Sequence, residues 1–221
     1  RGLRHRSQIG RALCGVSVDL GGRRVVRKIS GTLKGRTLLA PKGQSLRPTA
    51  DQVKETLFNM IVGEILDARC LDLFAGTGNV GIEAISRQAA HVVFVEKVPA
   101  HLRVLKQNLA ACGIEADCAV YCGDANILLR KLQKAAQPFD IIYLDPPYRQ
   151  TNMLRDILER LAASALLSAR GMIIVEHAAD AELPAAILDA LYLSKSRRIG
   201  DTALSFYRLA ANNHHPEETT P

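Results

Sequence analysis

The sequence predicts a doubly wound α/β fold. A mostly parallel seven-stranded sheet ends in an antiparallel C-terminal hairpin, and a small N-terminal β-hairpin precedes it. Three observations predict it. From residue 49 to residue 190, short apolar runs alternate with stretches of helical period, the pattern of a parallel sheet with helices on both faces. The first apolar run ends in Gly76-Thr77-Gly78-Asn79-Val80-Gly81, a G-x-G-x-x-G turn from which a helix opens, as in Rossmann-like folds. The last two β-rich runs are separated only by Ile199-Gly200-Asp201-Thr202, which is too short for a crossover helix.

Residues 1–22 lack a period and are rich in Gly and Arg, so a disordered basic extension is expected there. Residues 25–29 and 36–40 are β-favouring runs on either side of Ser30-Gly31-Thr32-Leu33-Lys34-Gly35, which predicts a basic hairpin within 23–48. Pro41 and Pro48 close it. Thr49 is the expected N-cap of a helix whose Val53, Leu57, Met60, Ile61 and Ile65 fall at helical spacing. Strands are then expected at 70–74, 91–96, 118–122, 140–144 and 172–176. Helices are expected after residue 79 and at 99–111, 125–134, 152–163 and 181–190. Pro99 at a first turn and Gly113 just past an end frame one of them. Residues 191–198 and 203–209 form the closing hairpin. The main domain is thus expected over 49–210, with a disordered tail at 211–221.

A chain of 221 residues that is 48% hydrophobic suits one α/β domain with a small appendage. No apolar run approaches the ~18 residues of a membrane span, and no secretory h-region is seen. Five cysteines without C-x-x-C spacing read as reduced thiols of a cytoplasmic protein, with no metal site expected. The net charge of +7 hides an asymmetry. Residues 1–47 hold nine Arg and three Lys against Asp19, a formal +11, which leaves −4 for the remainder. A basic arm on a mildly acidic domain predicts a polyanion gripped at one end, with Arg27, Lys28, Lys34 and Arg36 along the ribbon.

Strand, glycine turn and helix N-terminus together suit an anionic or extended ligand. Asp72 lies four residues before Gly76 and would repel a pyrophosphate, whereas a cationic amino-acid ligand would be attracted. The D-x-F-A-G-x-G pattern of Asp72, Phe74, Ala75, Gly76 and Gly78 resembles motif I of S-adenosylmethionine-dependent methyltransferases, and Asn79 and Gly81 continue it. Glu96 ends the second strand 20 residues after Gly76, where an acid can accept both ribose hydroxyls. Lys97 follows it. Asp124, with Ala125, can accept from an adenine amino group or cap the next helix.

Phe139–Tyr148 reads FDIIYLDPPY. Two prolines fix the backbone after the strand and remove two N–H donors. The Asp145 carboxylate and the Pro146 carbonyl remain as a rigid row of acceptors, Pro147 stiffens it, and Tyr148 offers a face for stacking a base. Such a row suits an exocyclic NH2. Accepting its two hydrogens pulls the nitrogen toward tetrahedral geometry, and Asp145 can take the proton that leaves.

D-P-P-Y looks like the [DN]-P-P-[YFW] motif of methyltransferases that modify exocyclic amines of bases. From residue 25 to residue 209 the chain resembles the small-subunit ribosomal RNA guanine-N2 methyltransferase D family. The likeness runs through the R-x-I-S-G-x-x-x-G-R stretch from Arg27 to Arg36, L-R-P-T-x-D-x-V-K-E-x-L-F-N from Leu46 to Asn59, then motif I, Glu96, Asn108, Gly123-Asp124-Ala125 and D-P-P-Y. The resemblance implies that Asp72 to Gly81, Glu96 and Asp124 bind S-adenosylmethionine, with Lys97 and Ala125 beside them. Arg47 and Thr49 would lie over the site, and Asp145, Pro146, Pro147 and Tyr148 would hold the target guanine. The implied partner is ribosomal RNA of the assembled or assembling small subunit, bound by a monomer without membrane association. Residues 1–24 precede the usual family start. Rival readings are an adenine-N6 methyltransferase of DNA or RNA, an NAD-binding oxidoreductase using the G-x-G-x-x-G, and a non-catalytic RNA-binding protein.

Overall fold

Two short antiparallel strands come first, β1 (Arg27–Lys28) and β2 (Thr37–Leu38), joined through a 3-10 turn at Gly31–Leu33. Helices and strands then alternate: α1 (Pro48–Met60), β3 (Arg69–Asp72), α2 (Asn79–Ser86), β4 (His91–Glu96), α3 (Pro99–Cys112), β5 (Cys118–Cys122), α4 (Ala125–Ala135), β6 (Phe139–Leu144), α5 (Thr151–Ala162) and β7 (Leu167–Ala178). β8 (Ala186–Ile187), β9 (Leu191–Ile199) and β10 (Thr202–Leu209) complete the chain. The computed structural model describes residues 27–40, 48–135, 137–147 and 151–210, and the side chains of residues 27, 28, 48, 135 and 151 fall outside that description. The expected extension over 1–22, the tail over 211–221, and the site residues Arg47 and Tyr148 lie outside the described residues. Among the described residues no helix is long and apolar enough to cross a membrane.

The large sheet has the order β5-β4-β3-β6-β7-β10-β9-β8. β3 to β7 are parallel, and β10, β9 and β8 add antiparallel strands at one side. The chain builds outward from β3 through β4 to β5, then returns to lay β6 on the other side of β3. That reversal opens a crevice at the carboxyl ends of the strands. Alternating side chains build the two cores. Cys70, Val92, Phe94, Ile141 and Ile174 meet α1, α2 and α3, whereas Leu71, Val93, Val95, Ile142 and Val175 meet α4 and α5. Because β4 is covered on both faces, its run HVVFVE is almost wholly apolar.

The sheet has eight strands where seven are expected. The extra one lies in 181–190, read from sequence as a helix. Pro184 removes an N–H and clashes with a helical backbone there. Instead Ala186 pairs with Tyr192 and Ile187 with Leu191, and the Pro184 carbonyl accepts the Tyr207 hydroxyl at 2.7 Å. Thr49 is not an N-cap. It is the second residue of α1, which Pro48 opens. Among the described residues the N-terminal ladder pairs Arg27 with Leu38 and Lys28 with Thr37, and neighbouring backbone groups bond to helices. Ser30 N–H donates to the Glu83 carboxylate, Leu33 N–H to Ser86 Oγ at 2.9 Å, and Leu39 N–H to Asn108 Oδ1 at 2.8 Å.

Candidate active site

Beyond β3 the chain stays between its neighbours for a few residues. Leu73 N–H donates to the Tyr143 carbonyl at 3.1 Å and Ala75 N–H to that of Val95 at 2.9 Å. This delivers the glycine turn to the crevice. Gly76 and Gly78 have φ of 54° and 85°, in the left-handed region that favours glycine. A Cβ on Gly76 would meet nothing within 4 Å, so the turn's first glycine faces open space. A Cβ on Gly81 would lie 2.2 Å from the Phe94 ring, so that glycine lets α2 press against β4.

Asp72 is 3% exposed, and its Oδ2 accepts the Gly81 N–H at 3.2 Å. Burial pushes its carboxyl up to about 7, with the Glu96 charge acting the same way against the Gly81 hydrogen bond. Glu96 is 8% exposed and accepts the N–H groups of Gly76 and Val98, each at 2.7 Å. It therefore pins the glycine turn to the end of β4, and each oxygen keeps acceptor capacity for a ligand. Asp124 accepts the Asn126 N–H at 2.9 Å and so caps α4, the bland role sequence allowed it.

These acids open onto a cleft of about 1130 Å³ along the strand ends. In sheet order the wall carries Asp124 after β5, Glu96 on β4, Asp72 at the end of β3 with the glycine turn beyond it, Asp145 and Pro146 after β6, and Glu176 on β7. Phe74, Ala75, Asn79, Lys97, Ala125 and Pro147 also line it, and Thr49 and Lys54 of α1 form its rim. Of the sequence-derived cofactor set, Gly78 and Gly81 lie behind the wall as packing residues. The Tyr143 hydroxyl donates to Glu176 Oε2. Burial, then the charges of Glu176 and Asp145, hold that phenol well above its ordinary range, so it stays a donor.

Four buried or cleft residues were not singled out from sequence. Lys54 Nζ donates to Asn79 Oδ1 at 3.1 Å and lies 3.5 Å from Glu83. Glu83, 1% exposed, also takes the Arg87 guanidinium at 2.9 Å, and its place in an apolar helix run, GIEAI, is a readable signal. Asn108, noted only within the resemblance, is 1% exposed and donates to the carbonyls of Leu39 and Thr77, each at 3.0 Å. It ties the N-terminal hairpin to the glycine turn. Glu176 closes the apolar run MIIVE within β7, much as Glu96 closes HVVFVE. Of the expected RNA-binding residues, Lys34 is exposed, while Arg36 donates to the Ala111 carbonyl near the end of α3. Thr49 is exposed at the cleft rim.

The family described as Conserved hypothetical protein 95 matches residues 26–208. A Bacillus subtilis (strain 168) protein, YlbH, named as a candidate rRNA methyltransferase, is 38% identical over 183 residues, covering 83% of this chain and 98% of its own. Ribosomal RNA small subunit methyltransferase D of Escherichia coli (strain K12) is 36% identical over 163 residues, covering 72% and 78%. A solved Escherichia coli structure, described as the candidate methyltransferase YhhF, is 34% identical with a TM-score of 0.73. It covers 85% of this chain and 99% of its own.

Proposed function

The chain belongs to the Conserved hypothetical protein 95 family, that of the small-subunit ribosomal RNA methyltransferases D, and from that premise we propose that it moves a methyl group from S-adenosylmethionine to the N2 amine of a guanine in 16S ribosomal RNA. The observation that carries this reading is one cleft with two differently built ends. At one end Asp72, Glu96 and Asp124 follow one another over three strands. At the other, Asp145 and the Pro146 carbonyl offer acceptors beside the β3–β6 switch point.

The residues fit the cofactor. A buried carboxyl suits its ammonium, the Glu96 carboxylate its ribose diol, and Asp124 its adenine amine, with open space over Gly76 for close approach. When bound, S-adenosylmethionine supplies an electrophilic methyl on a sulfonium. The chain does the rest by placement. Asp145 and the Pro146 carbonyl accept the two amine hydrogens and turn the nitrogen lone pair toward the donor end of the cleft. As the N–C bond forms and the methyl's bond to sulfur breaks, leaving a neutral thioether, Asp145 would take the proton the nitrogen sheds. Preorganised acceptors and alignment carry most of the rate. RNA of the assembled or assembling small subunit reaches the cleft past the basic hairpin, and the protein works there as a monomer.

The test is transfer of labelled methyl to small ribosomal particles, to total RNA and to DNA, followed by nucleoside separation. Label in N2-methylguanosine of small-subunit RNA is expected. Label in N6-methyladenine, or in DNA alone, overturns the assignment.

A further inference from the structure

We propose that Glu176 selects the target base by accepting the ring N1–H of guanine, with the Tyr143 hydroxyl fixing its carboxylate. This rests on the reading of the cleft as a base-methylating site and adds the residue that tells guanine from the other amino bases.

β6 and β7 pair in the register Tyr143↔Ile174 and Leu144↔Val175. Asp145 follows Leu144, the last residue of β6, and Glu176 follows Val175 within β7, so the two continue neighbouring strands. Both line the cleft. On its other side Glu176 pairs with Leu204 of β10, which holds its backbone. Tyr143 is 5% exposed, and its hydroxyl donates to Glu176 Oε2. The donor limits the rotation of the carboxylate, and a carboxylate has more than one acceptor site. Asp145, Pro146 and Glu176 line one cleft.

Guanine presents three N–H hydrogens along one edge, two on N2 and one on the adjacent N1. A wall built of acceptors can take all three. Adenine beside its N6 amine, and cytosine beside its N4 amine, carry a ring nitrogen lone pair instead. Either base would set that lone pair against the Glu176 carboxylate and leave both acceptors unsatisfied. A site built to bind an N–H rejects a base lacking it more strongly than a pocket of mere shape would.

The test uses 2-aminopurine, which keeps the amine on C2 but has a lone pair at N1. Small ribosomal particles are reconstituted with guanine or 2-aminopurine at the nucleotide the parent methylates, and kcat/KM is measured on each. The parent should prefer guanine by about a hundredfold. In Glu176→Gln the amide can donate where the carboxylate could only accept. Transfer to guanine should fall about ten- to hundredfold, while 2-aminopurine holds or gains, so the preference collapses. Tyr143→Phe should narrow the preference in the same direction. If Glu176→Gln lowers both substrates by one factor, with cofactor affinity retained, the residue is only structural and the proposal is overturned. Equal use of both bases by the parent overturns it without any variant. A parent that leaves guanine N2 unlabelled overturns the site reading itself, which separates the two failures.

Discussion

On the proposed reading, Asp72 ties cofactor binding to pH. Its carboxyl lies near 7 in the folded chain, against an ordinary 3.8, because burial disfavours its charge. The native state therefore holds an extra proton between about pH 4 and pH 7. The stability this contributes is complete below about pH 4 and is lost as pH rises through 7. Asp72→Asn should flatten that part of the pH–stability curve in a denaturant series. A cationic ammonium beside Asp72 reverses the preference and drives the proton off. Affinity for S-adenosylmethionine should thus weaken below pH 7 by up to about tenfold per unit, and Asp72→Asn should lose this dependence, as calorimetry can measure. Asp145 answers to a different assay. It lines the amine end of the cleft, so Asp145→Ala should keep cofactor affinity and lose transfer by about a hundredfold or more in single-turnover measurements. Full activity in that variant would remove Asp145 from the chemistry. Both acids are readable from sequence because each ends a strand beside a turn. Glu176 also closes an apolar run but lies inside β7, and the sequence does not say that β7 lies next to β6.

Among the elements, the N-terminal hairpin shows a packing that its charges do not announce. The charges suggest a basic ribbon, and Ile29 and Leu38 are buried in the core beside α1, α2 and α3. Glu83 takes the Ser30 N–H, Thr32 Oγ1 donates to the Ser86 carbonyl at 3.0 Å, and Asn108 grips both backbone groups of Leu39. Gly31 has φ of 82°, and a Cβ there would lie 2.1 Å from the Ser86 carbonyl oxygen, so that contact accepts only glycine. Docked this way, the hairpin joins its charge to that of α3, whose Arg103 and Lys106 are exposed. Arg36 closes the seam by donating to the Ala111 carbonyl. Reversing Lys34, Arg103 and Lys106 to Glu should reduce the salt dependence of RNA binding by about two to three units of slope and leave cofactor affinity unchanged. Arg36 is a poor choice for that test, because its reversal would also release the end of α3. The measurement is the RNA dissociation constant across a salt series, and an unchanged slope would place the phosphate contacts elsewhere.

At the scale of the whole molecule, the cleft is walled by residues from α1, β3, β4, β6, β7 and β10, so a ligand in it couples elements from most of the sheet. A ligand that binds only the folded state stabilises it by mass action, by about 2.7 kcal/mol at a hundred times its dissociation constant. For a chain of this size that corresponds to a rise in Tm of about 5–10 °C. S-adenosylmethionine should produce that rise in thermal denaturation, and NAD at equal concentration should leave Tm unmoved. A comparable shift with NAD would return the glycine turn to dinucleotide binding.

The sequence by itself determined what depends on neighbours along the chain. The alternation of strand and helix, the glycine turn, the Pro99 start and Gly113 stop of α3, and the acids at the ends of β3 and β4 are all local signals, written in periods of two or 3.6 residues and in turn chemistry. Only the tertiary structure decided which buried polar groups satisfy one another. Ser30 and Glu83 are 53 residues apart, Leu39 and Asn108 are 69 apart, and Tyr143 and Glu176 are 33 apart. Residues 186–187 likewise became an edge strand because β9 lies beside them and Pro184 rules out the helix. A buried donor must find an acceptor, but periodicity says only that a residue faces inward. The partner is set by which strand and which helix arrive next to it, and that is a property of the packed chain.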